Sequence, residues 1–531
     1  FLGISKEKKK VEENVKERKE ENKETAEPQH FDEKIIQIRK DKIKSFISSK
    51  YSLISYFILA ILVWISIKIR TTNLSGLKDI TTGQWTLGPD LDPFLFLRWA
   101  KYIVENGSLM AVDSMRYVPL GFETKYELVL HPYLMAWFHK IAIVFGSTSV
   151  EQSAVLYPVY IFALTVVAFF LLVRKIFVKS AGDIKANAIA LISSFFLIVI
   201  PSLLPRTIAG IPEKEASGFF FLFLAFYFFL CAWEAKSKRS QVIYSILAGL
   251  ATAGMAMVWG GFIYIFVTLS LAVFVAFVLG QVNKNKFYIY TIWLFSSAFI
   301  MFLSSPRYSI ISIFASTTTG IAIALFFMIF VHSLVFETKY KKYFEPKLQF
   351  ANKIPKPILS IIIAMIIILV GVTILFGLSF VKDKARDVLE ILVTPTTGRI
   401  GVTVAENRQP YFEEWANGFG PFYKNIPLVF WLFFIGSIYL FFDMTKTFKL
   451  KERVILTAGF LIFLIAIIYS RYSPNHVLNG ENTQSLLLYF GGTLVFLFIF
   501  GFYYYKNYFS DKNKLLGLDF SIIFLLSLFF F

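Results

Sequence analysis

The sequence predicts an all-α polytopic membrane protein, and two features of the chain lead to this fold class. Of its 531 residues, 56% are hydrophobic and 18% aromatic, with a mean hydropathy of +0.61, which is far too apolar for a soluble domain. Apolar stretches of about 18 residues or more recur from Tyr51 onward, and each can cross the hydrocarbon core of a bilayer. A transmembrane β-barrel would instead need short alternating segments, which this sequence does not contain.

Hydropathy predicts about thirteen spans along the chain. The loops between them differ in composition: some are rich in Lys and Arg, and others carry acidic clusters. The predicted spans are 51–69, 150–174, 186–205, 217–235, 242–259, 261–280, 288–304, 310–334, 357–380, 426–443, 453–470, 485–505 and 517–531.

The basic residues orient these spans, because cytoplasmic loops of membrane proteins carry an excess of Lys and Arg. The segment 131–147 is apolar, but His131, His139 and Lys140 interrupt it. If it belongs to a loop, six basic loops fall on the cytoplasmic side with the charged N-terminal segment 1–50. If it is counted as a span, all six basic loops would lie on the extracytoplasmic side. We therefore predict a cytoplasmic N-terminus and no span at 131–147.

This orientation gives the predicted transmembrane domain, residues 51–531, three outer loops that carry acidic residues. They are the first outer loop at 70–149, the second at 206–216 and the fifth at 381–425. The fifth loop is long for a connection in a compact domain, and loops of such length tend to be functional. A carboxylate close to a bilayer is costly, so it usually has a task.

Net charge and cysteine content exclude several function classes. The formal net charge of +18 is explained by basic cytoplasmic loops, so we predict no nucleic-acid binding. Cys231 is the only cysteine of the sequence, which excludes an intrachain disulfide and a thiolate metal cluster. The five histidines form no HExxH pattern.

The first outer loop contains the pair Asp90 and Asp92. Carboxylate oxygens are the ligands that hard cations such as Mg²⁺ and Mn²⁺ prefer. Because Pro93 follows Asp92, the same residues also fit an ordinary helix start with Asp92 as the N-cap.

The second outer loop contains Glu213 and Glu215. They are two residues apart, so an extended loop would aim both side chains the same way, as a shared cation would require. The alternative is that both glutamates pair at the surface with Lys214 and Arg206.

Three further residues are candidates for the site. Glu406 lies in the fifth outer loop, where the alternative is an ordinary surface glutamate. Arg471 follows a span, so it is either an interface anchor that extends its head group into water or a bidentate ligand of a phosphate. Arg206 is open to the same two interpretations.

Together these segments resemble the catalytic subunit of oligosaccharyltransferase, the family that includes archaeal AglB and bacterial PglB. The likeness covers most of the chain from about Tyr51. Four motifs occur in the family's order: Asp90-Leu91-Asp92, then Arg206 to Glu215, which is similar to R-[ST]-x-A-G-x-x-[DE]-x-[DE], then Trp259-Gly260-Gly261-Phe262, and finally Thr403-Val404-Ala405-Glu406 with Gln409-Pro410 and Trp415. The resemblance implies a GT-C type fold of thirteen transmembrane helices with a cytoplasmic N-terminus.

The resemblance also implies an activity and roles for the site residues. The activity is transfer of an oligosaccharide from a polyprenyl (dolichyl) phosphate or diphosphate carrier to Asn in Asn-x-Ser/Thr acceptors. Asp92, Glu213 and Glu215 would bind Mg²⁺ or Mn²⁺, Asp92 and Glu406 would act on the acceptor amide, and Arg471 and Arg206 would bind the lipid phosphate. The site would lie on the extracytoplasmic side of the cell membrane.

The sequence departs from the family in three places, one of which is a spacing from Glu406 to Trp415 that is longer than the family norm. The family's WWDYG motif, which reads the Ser/Thr of the acceptor, does not occur in residues 1–531. We expect it on a C-terminal extracytoplasmic domain absent from this sequence, or on a separate chain. Glu213 stands where Asp is more usual, which adds a methylene group.

The sequence is also compatible with two other functions. One is a polyprenyl-phosphate-sugar transferase that glycosylates Ser/Thr or a lipid glycan, although such an enzyme would not need the Thr403–Glu406 motif. The other is a transporter, although transporters carry their charges near the bilayer midplane rather than in loops.

Overall fold

The computed structural model describes residues 39, 51, 53–344, 346–393, 410–420, 422–423 and 426–530. Within these residues the chain is overwhelmingly helical, and its strands form only two short antiparallel hairpins, Val112–Asp113 with Phe122–Glu123 and Phe422–Tyr423 with Ile426–Pro427. The predicted all-α membrane fold is confirmed.

We number the helices of the described residues from α1 in chain order. They are α1 Leu53–Gly76, α2 Asp92–Asn106, α3 Leu130–Ala142, α4 Val150–Ala181, α5 Asp183–Val199, α6 Lys214–Glu234, α7 Lys238–Val258, α8 Ile263–Val278, α9 Lys284–Ser304, α10 Ile310–Ala315, α11 Thr317–Phe336, α12 Lys341–Phe344, α13 Lys356–Val393, α14 Phe412–Phe419, α15 Leu428–Met444, α16 Leu450–Tyr469, α17 Thr483–Ser510, α18 Lys512–Leu516 and α19 Phe520–Ser527.

Ten helices in the described part of the chain are long and apolar enough to cross a membrane: α1, α4, α6, α7, α8, α9, α11, α13, α16 and α17. The other three predicted spans coincide with the shorter helices α5, α15 and α19. Each predicted span therefore has a helix, and the number thirteen stays a prediction.

The predicted span 310–334 is interrupted near its start. Helix α10 ends at Ala315, and α11 begins at Thr317. The hydroxyl of Ser316 accepts a hydrogen bond from the backbone N–H of Thr318. Serine competes with the helical hydrogen-bond ladder in this way, which favours a cap over helix continuation.

The predicted span 357–380 lies within a longer helix. Helix α13 runs to Val393 and bends at Gly377, whose φ of 83° is open to glycine at little cost. The first part of the predicted fifth outer loop is therefore helical.

The segment 131–147 contains no spanning helix. Helix α3 has 13 residues, too few to cross a bilayer. Its face with His131 and Met135 is buried, and the helix packs against α2 and α4. The sides of the membrane on which the loops lie stay a prediction.

Candidate functional site

The predicted second outer loop is anchored through its backbone to two of the long apolar helices, α1 and α4. The N–H of Ala209 donates to the carbonyl of Arg70 in α1, at 2.9 Å. The N–H of Gly210 donates to the carbonyl of Val155 in α4, also at 2.9 Å. The side-chain amide of Asn73 donates to the carbonyl of Ala209 at 2.9 Å. The loop therefore has a fixed position between α1 and α4.

Arg70 also holds this loop through its side chain, and sequence reasoning missed it. The residue is fully buried. Its Nε donates to Thr207 Oγ1 at 2.8 Å, and its guanidinium carbon lies 3.6 Å from the ring centroid of Phe162. The sequence shows only an arginine at the end of a span, which normally indicates an exposed anchor.

His131 braces the segment that leads to Glu213. Its Nε2 lies 2.9 Å from the carbonyl oxygen of Pro212, and its Nδ1 lies 3.1 Å from Ser217 Oγ. Because the carbonyl can only accept, Nε2 carries the proton. Burial lowers the pKa of His131 to about 4, so the ring stays neutral and acts as a structural residue.

The first and second outer loops meet at two glycines. The N–H of Gly88 donates to the carbonyl of Gly210 at 2.8 Å. A Cβ on Gly88 would lie 2.6 Å from Ile211 Cδ1, and Gly210 has a φ of 82°. This contact fixes the start of the Asp90–Asp92 segment beside Glu213.

We expect Gly210→Ala to lower the thermal unfolding temperature and to separate the two loops. The new methyl would lie 2.7 Å from Leu77 Cδ1 and 3.1 Å from the Gly88 nitrogen. Gly146→Ala is the matched control, because Gly146 also has a positive φ, but an added methyl there would meet nothing within 4 Å. Both variants carry the backbone strain, so an equal loss of melting temperature would contradict a specific role for the Gly88–Gly210 contact.

Four carboxylates and one guanidinium form a cluster where these loops meet. Arg206 Nη1 lies 3.5 Å from Asp90 Oδ2 and 3.5 Å from Glu213 Oε1, and Arg206 Nε lies 3.9 Å from Glu215 Oε1. The two glutamates are buried, whereas Asp92 is exposed. We call Asp90, Asp92, Arg206, Glu213 and Glu215 the acidic cluster.

The carboxylates of the acidic cluster outnumber its one guanidinium, and burial and the neighbouring negative charges together raise the pKa of Glu213. Burial raises the pKa of Glu213 to about 8, with further increases from the charges of Glu215, Asp90 and Asp92, while Arg206 opposes them. A buried carboxyl beside like charges is the arrangement expected where a site awaits a cation or a proton.

Two local details of the sequence interpretation are wrong. Helix α2 begins at Asp92 itself, so Leu91 and not Asp92 is its N-cap. Glu213 and Glu215 do not lie together in an extended loop, because Glu213 is the extended N-cap of α6 and Glu215 lies in the first turn of that helix. Carboxylates are favourable at helix N-termini, and both glutamates still reach Arg206.

Arg471 belongs to a separate group. The residue is 4% exposed, which does not fit an interface anchor with its head group in water. The guanidinium carbon lies 4.6 Å from the ring centroid of Tyr411, and the carbonyl of Arg471 accepts from the N–H of Phe412 at 2.8 Å. Glu406 lies outside the described residues.

Residues 50–395, more than half of the chain, match the family model described as "Oligosaccharyl transferase STT3, N-terminal". The chain belongs to the STT3 oligosaccharyl transferase family. The predicted resemblance is thereby confirmed.

The chain is also similar to individual STT3-family proteins. It is 26% identical over 212 residues to the dolichyl-diphosphooligosaccharide–protein glycosyltransferase subunit STT3 of Saccharomyces cerevisiae, covering 38% of this chain and 28% of the relative. A structure of archaeal oligosaccharyltransferase AglB from Archaeoglobus fulgidus, in complex with an inhibitory peptide and a dolichol-phosphate, matches 89% of this chain and 50% of its own, with a TM-score of 0.51 and 20% identity.

A second Archaeoglobus fulgidus oligosaccharyltransferase structure, a complex with Zn and sulfate, has a TM-score of 0.51 and 18% identity. It matches 87% of this chain and 52% of its own. The structural likeness establishes the shared GT-C type membrane fold. The chain spans less than a third of the yeast relative and about half of each of these structures.

The donor set of the acidic cluster suits a hard divalent cation, although its present arrangement is not that of a formed metal site. All candidate ligands are carboxylate oxygens, the type that Mg²⁺ and Mn²⁺ prefer. Among the described residues, no group of three or more acidic, His or Cys side chains has metal-binding spacing. Arg206 lies within reach of three of the carboxylates and partly neutralises them. One guanidinium against the four carboxylates of the acidic cluster still leaves the carboxylates in the majority.

The raised pKa of Glu213 predicts that the cation-free protein loses thermal stability as the pH rises. In the unfolded chain this carboxyl has a pKa of about 4.3, against about 8 in the folded chain. The folded state therefore binds more protons between these values. The contribution is complete below about pH 4.3 and is lost as the pH rises through about 8.

The measurement is the melting temperature in EDTA at a series of pH values from about 6 to about 9. Glu213→Gln cannot ionise and should flatten the decline across this range. An identical slope in the wild-type and Glu213→Gln proteins would contradict the prediction.

Proposed function

We propose that this chain forms the transmembrane catalytic part of an oligosaccharyltransferase. It would transfer an oligosaccharide from a polyprenyl (dolichyl) phosphate or diphosphate to the side chain of Asn in Asn-x-Ser/Thr acceptors. Membership of the STT3 family supports this activity. The single structural observation that carries the proposal is the Gly88–Gly210 contact, because it assembles one acidic cluster from two separate loops.

The first chemical task is to stabilise the leaving group, which is a lipid phosphate or diphosphate. Asp92, Glu213 and Glu215 would bind Mg²⁺ or Mn²⁺, which would supply Lewis acidity toward the phosphate oxygens. The zinc in an Archaeoglobus fulgidus homologue supports a metal in this fold. Arg471 would add a guanidinium, whose planar fork matches phosphate geometry. Arg206 would exchange carboxylates for phosphate when the donor binds.

The second task is to activate an amide nitrogen, whose lone pair is delocalised into its carbonyl. A carboxylate can only accept hydrogen bonds, so it orients the two N–H groups of the acceptor amide. Asp92 is exposed at the start of α2 and is open to such a substrate. Glu406 is the second carboxylate that we assign to this role.

The proposal implies two substrates and a location. The dolichol-phosphate and the peptide in the AglB complex support a lipid-linked donor and a polypeptide acceptor for this chain. Recognition of the Ser/Thr of the acceptor would fall to a C-terminal domain or a separate chain. The protein would lie in the cell membrane with the N-terminus in the cytoplasm and the acidic cluster outside.

The test is glycan transfer by the full-length protein, reconstituted with a dolichyl-linked donor and an Asn-x-Thr peptide. Mass spectrometry should place the glycan on Asn, and a peptide with Gln in place of Asn should receive none. Glycan found on Ser or Thr would favour the O-linked alternative and contradict the proposal.

We expect EDTA to abolish this transfer and added Mg²⁺ or Mn²⁺ to restore it. The physical reason is the excess negative charge of the acidic cluster, which a divalent cation would offset. The control is the rate after EDTA treatment and dialysis into cation-containing buffer. Transfer at the full rate in EDTA would exclude a divalent cation from the mechanism.

A further inference from the structure

A basic pocket lies between the first turns of α7 and α9, at the end predicted to be cytoplasmic and therefore opposite to the acidic cluster. It encloses about 440 Å³ and is lined by Lys238, Arg239 and Lys284, together with Val242 and Tyr288. In the described part of the chain, no acidic side chain is among its lining residues. We call it the basic pocket.

The cations of the basic pocket have no acidic partner in the part of the chain that the structure describes. Within the described residues, Lys238, Arg239 and Lys284 form no ion pair. Glu234, in the last turn of α6, is held by Lys175 at 2.8 Å. Lys238, Arg239 and Lys284 are exposed side chains at one pocket. Three neighbouring cations repel each other, so an anion is the ligand that this site would accept.

The walls of the basic pocket are fixed by tight packing between two parallel helices. A side chain at Gly249 of α7 would overlap Ser296 of α9. Trp293 Nε1 donates to Thr252 Oγ1 at 3.0 Å across the same contact. Both helices begin beside the pocket, so the positive ends of their dipoles add to the field of the three cations.

Apolar side chains continue from the basic pocket along the surfaces of both helices. On α7, Ile243, Ile246 and Leu250 are 45%, 45% and 52% exposed and lie on the same face as Arg239, at spacings of four, seven and eleven residues. In a spanning helix, such a face contacts the acyl chains of lipids.

The same arrangement is found on α9. Tyr288, Phe295 and Phe299 are 53%, 54% and 62% exposed and share the face of Lys284. Tyrosine at the boundary between basic head and apolar face is typical of the membrane interface. The exposed apolar faces of α7 and α9 therefore both extend from the basic pocket along the surface of the helices.

We propose that the basic pocket binds the phosphate of an anionic phospholipid headgroup, with the acyl chains along the exposed faces of α7 and α9. Basic pockets between spanning helices bind such headgroups at the cytoplasmic side of membranes. A free phosphate would satisfy the three cations but would leave the apolar tracks without a partner. The lipid is therefore the ligand that uses both features.

The test is photo-cross-linking of the purified protein with a photoactivatable phosphatidylglycerol, with mass spectrometry of the labelled peptides. We expect label on the segments 238–250 and 284–299, displaced by unlabelled phosphatidylglycerol but not by phosphatidylcholine. The triple variant Lys238→Gln, Arg239→Gln, Lys284→Gln should bind at least about tenfold more weakly, because each cation near a membrane surface contributes to anionic lipid binding.

The matched control removes three exposed lysines from another loop predicted to be cytoplasmic, as Lys339→Gln, Lys342→Gln and Lys353→Gln. It should keep wild-type labelling of both segments. If the pocket variant fails to fold, as judged by its melting temperature, the single variants Arg239→Gln and Lys284→Gln give the same comparison.

Equal labelling of the two segments in the pocket and control variants would overturn the proposal. Displacement of the label by inorganic phosphate as effectively as by phosphatidylglycerol would also overturn it, because the site would then recognise a free anion rather than a lipid.

Discussion

Asp92→Asn should lower the rate of glycan transfer by about 10²–10³-fold, the usual cost of losing one preorganised electrostatic contact. Asparagine preserves the volume of the side chain but removes the charge that a cation requires. Asparagine also presents an NH₂ donor to the amide of the substrate Asn, whereas a carboxylate would accept a hydrogen bond from that amide. Asp92 is exposed at the first residue of α2, so the loss should fall on activity and spare the fold.

Asp90→Asn is the matched control from the same loop. The Asp90 carboxylate is already engaged, because Oδ1 accepts from the N–H of Leu91 at 2.8 Å and Oδ2 lies 3.5 Å from Arg206. A partly exposed ion pair of this length contributes little. We expect Asp90→Asn to stay within about tenfold of the wild type. Equal losses in the two variants, measured as kcat at saturating peptide, would remove the distinction between these aspartates.

Hydropathy and charge predicted the framework of this protein because both act locally. A run of apolar residues must form a helix in a bilayer, since only internal hydrogen bonds can satisfy its backbone there. Every predicted span therefore contains a helix. Helix α3, which contains His131, has only 13 residues and is too short to cross the bilayer. The break at Ser316 was not predicted, because a serine has the same hydropathy value whether it caps a helix or lies within one.

The candidate site was predicted only in part for a related reason. Loop motifs identified Asp92, Arg206 and Glu213, whose residue types suit the chemistry. The contact that joins them, Gly88 with Gly210, links residues more than a hundred positions apart, and no local pattern encodes such a pairing. The burial of Arg70 has the same origin, because it depends on how α1 packs and not on the neighbours of Arg70 in the chain.

The predicted fifth outer loop contains Glu406, the second carboxylate that we assign to the acceptor amide. Glu406 lies four residues before Pro410, where the described chain resumes. The chain that follows is fastened to a candidate phosphate ligand, since Phe412 N–H donates to the carbonyl of Arg471 and the ring of Tyr411 faces its guanidinium. A carboxylate that contacts the acceptor and an arginine that contacts the donor would thus be joined through one short segment.

Glu406→Gln should therefore reduce glycan transfer to an Asn-x-Ser/Thr peptide by about 10²–10³-fold. The substitution keeps the volume of the side chain. However, Gln can turn its NH₂ group toward the NH₂ of the substrate Asn, and two hydrogen-bond donors cannot pair with each other. Binding of the donor lipid should change far less, because its phosphate is assigned to other residues. Glu413→Gln, an exposed glutamate of α14, is the control and should retain wild-type turnover. Were Glu406 a plain surface residue, both variants would transfer glycan to the peptide at the wild-type rate, and the assignment of Glu406 to the acceptor amide would be lost.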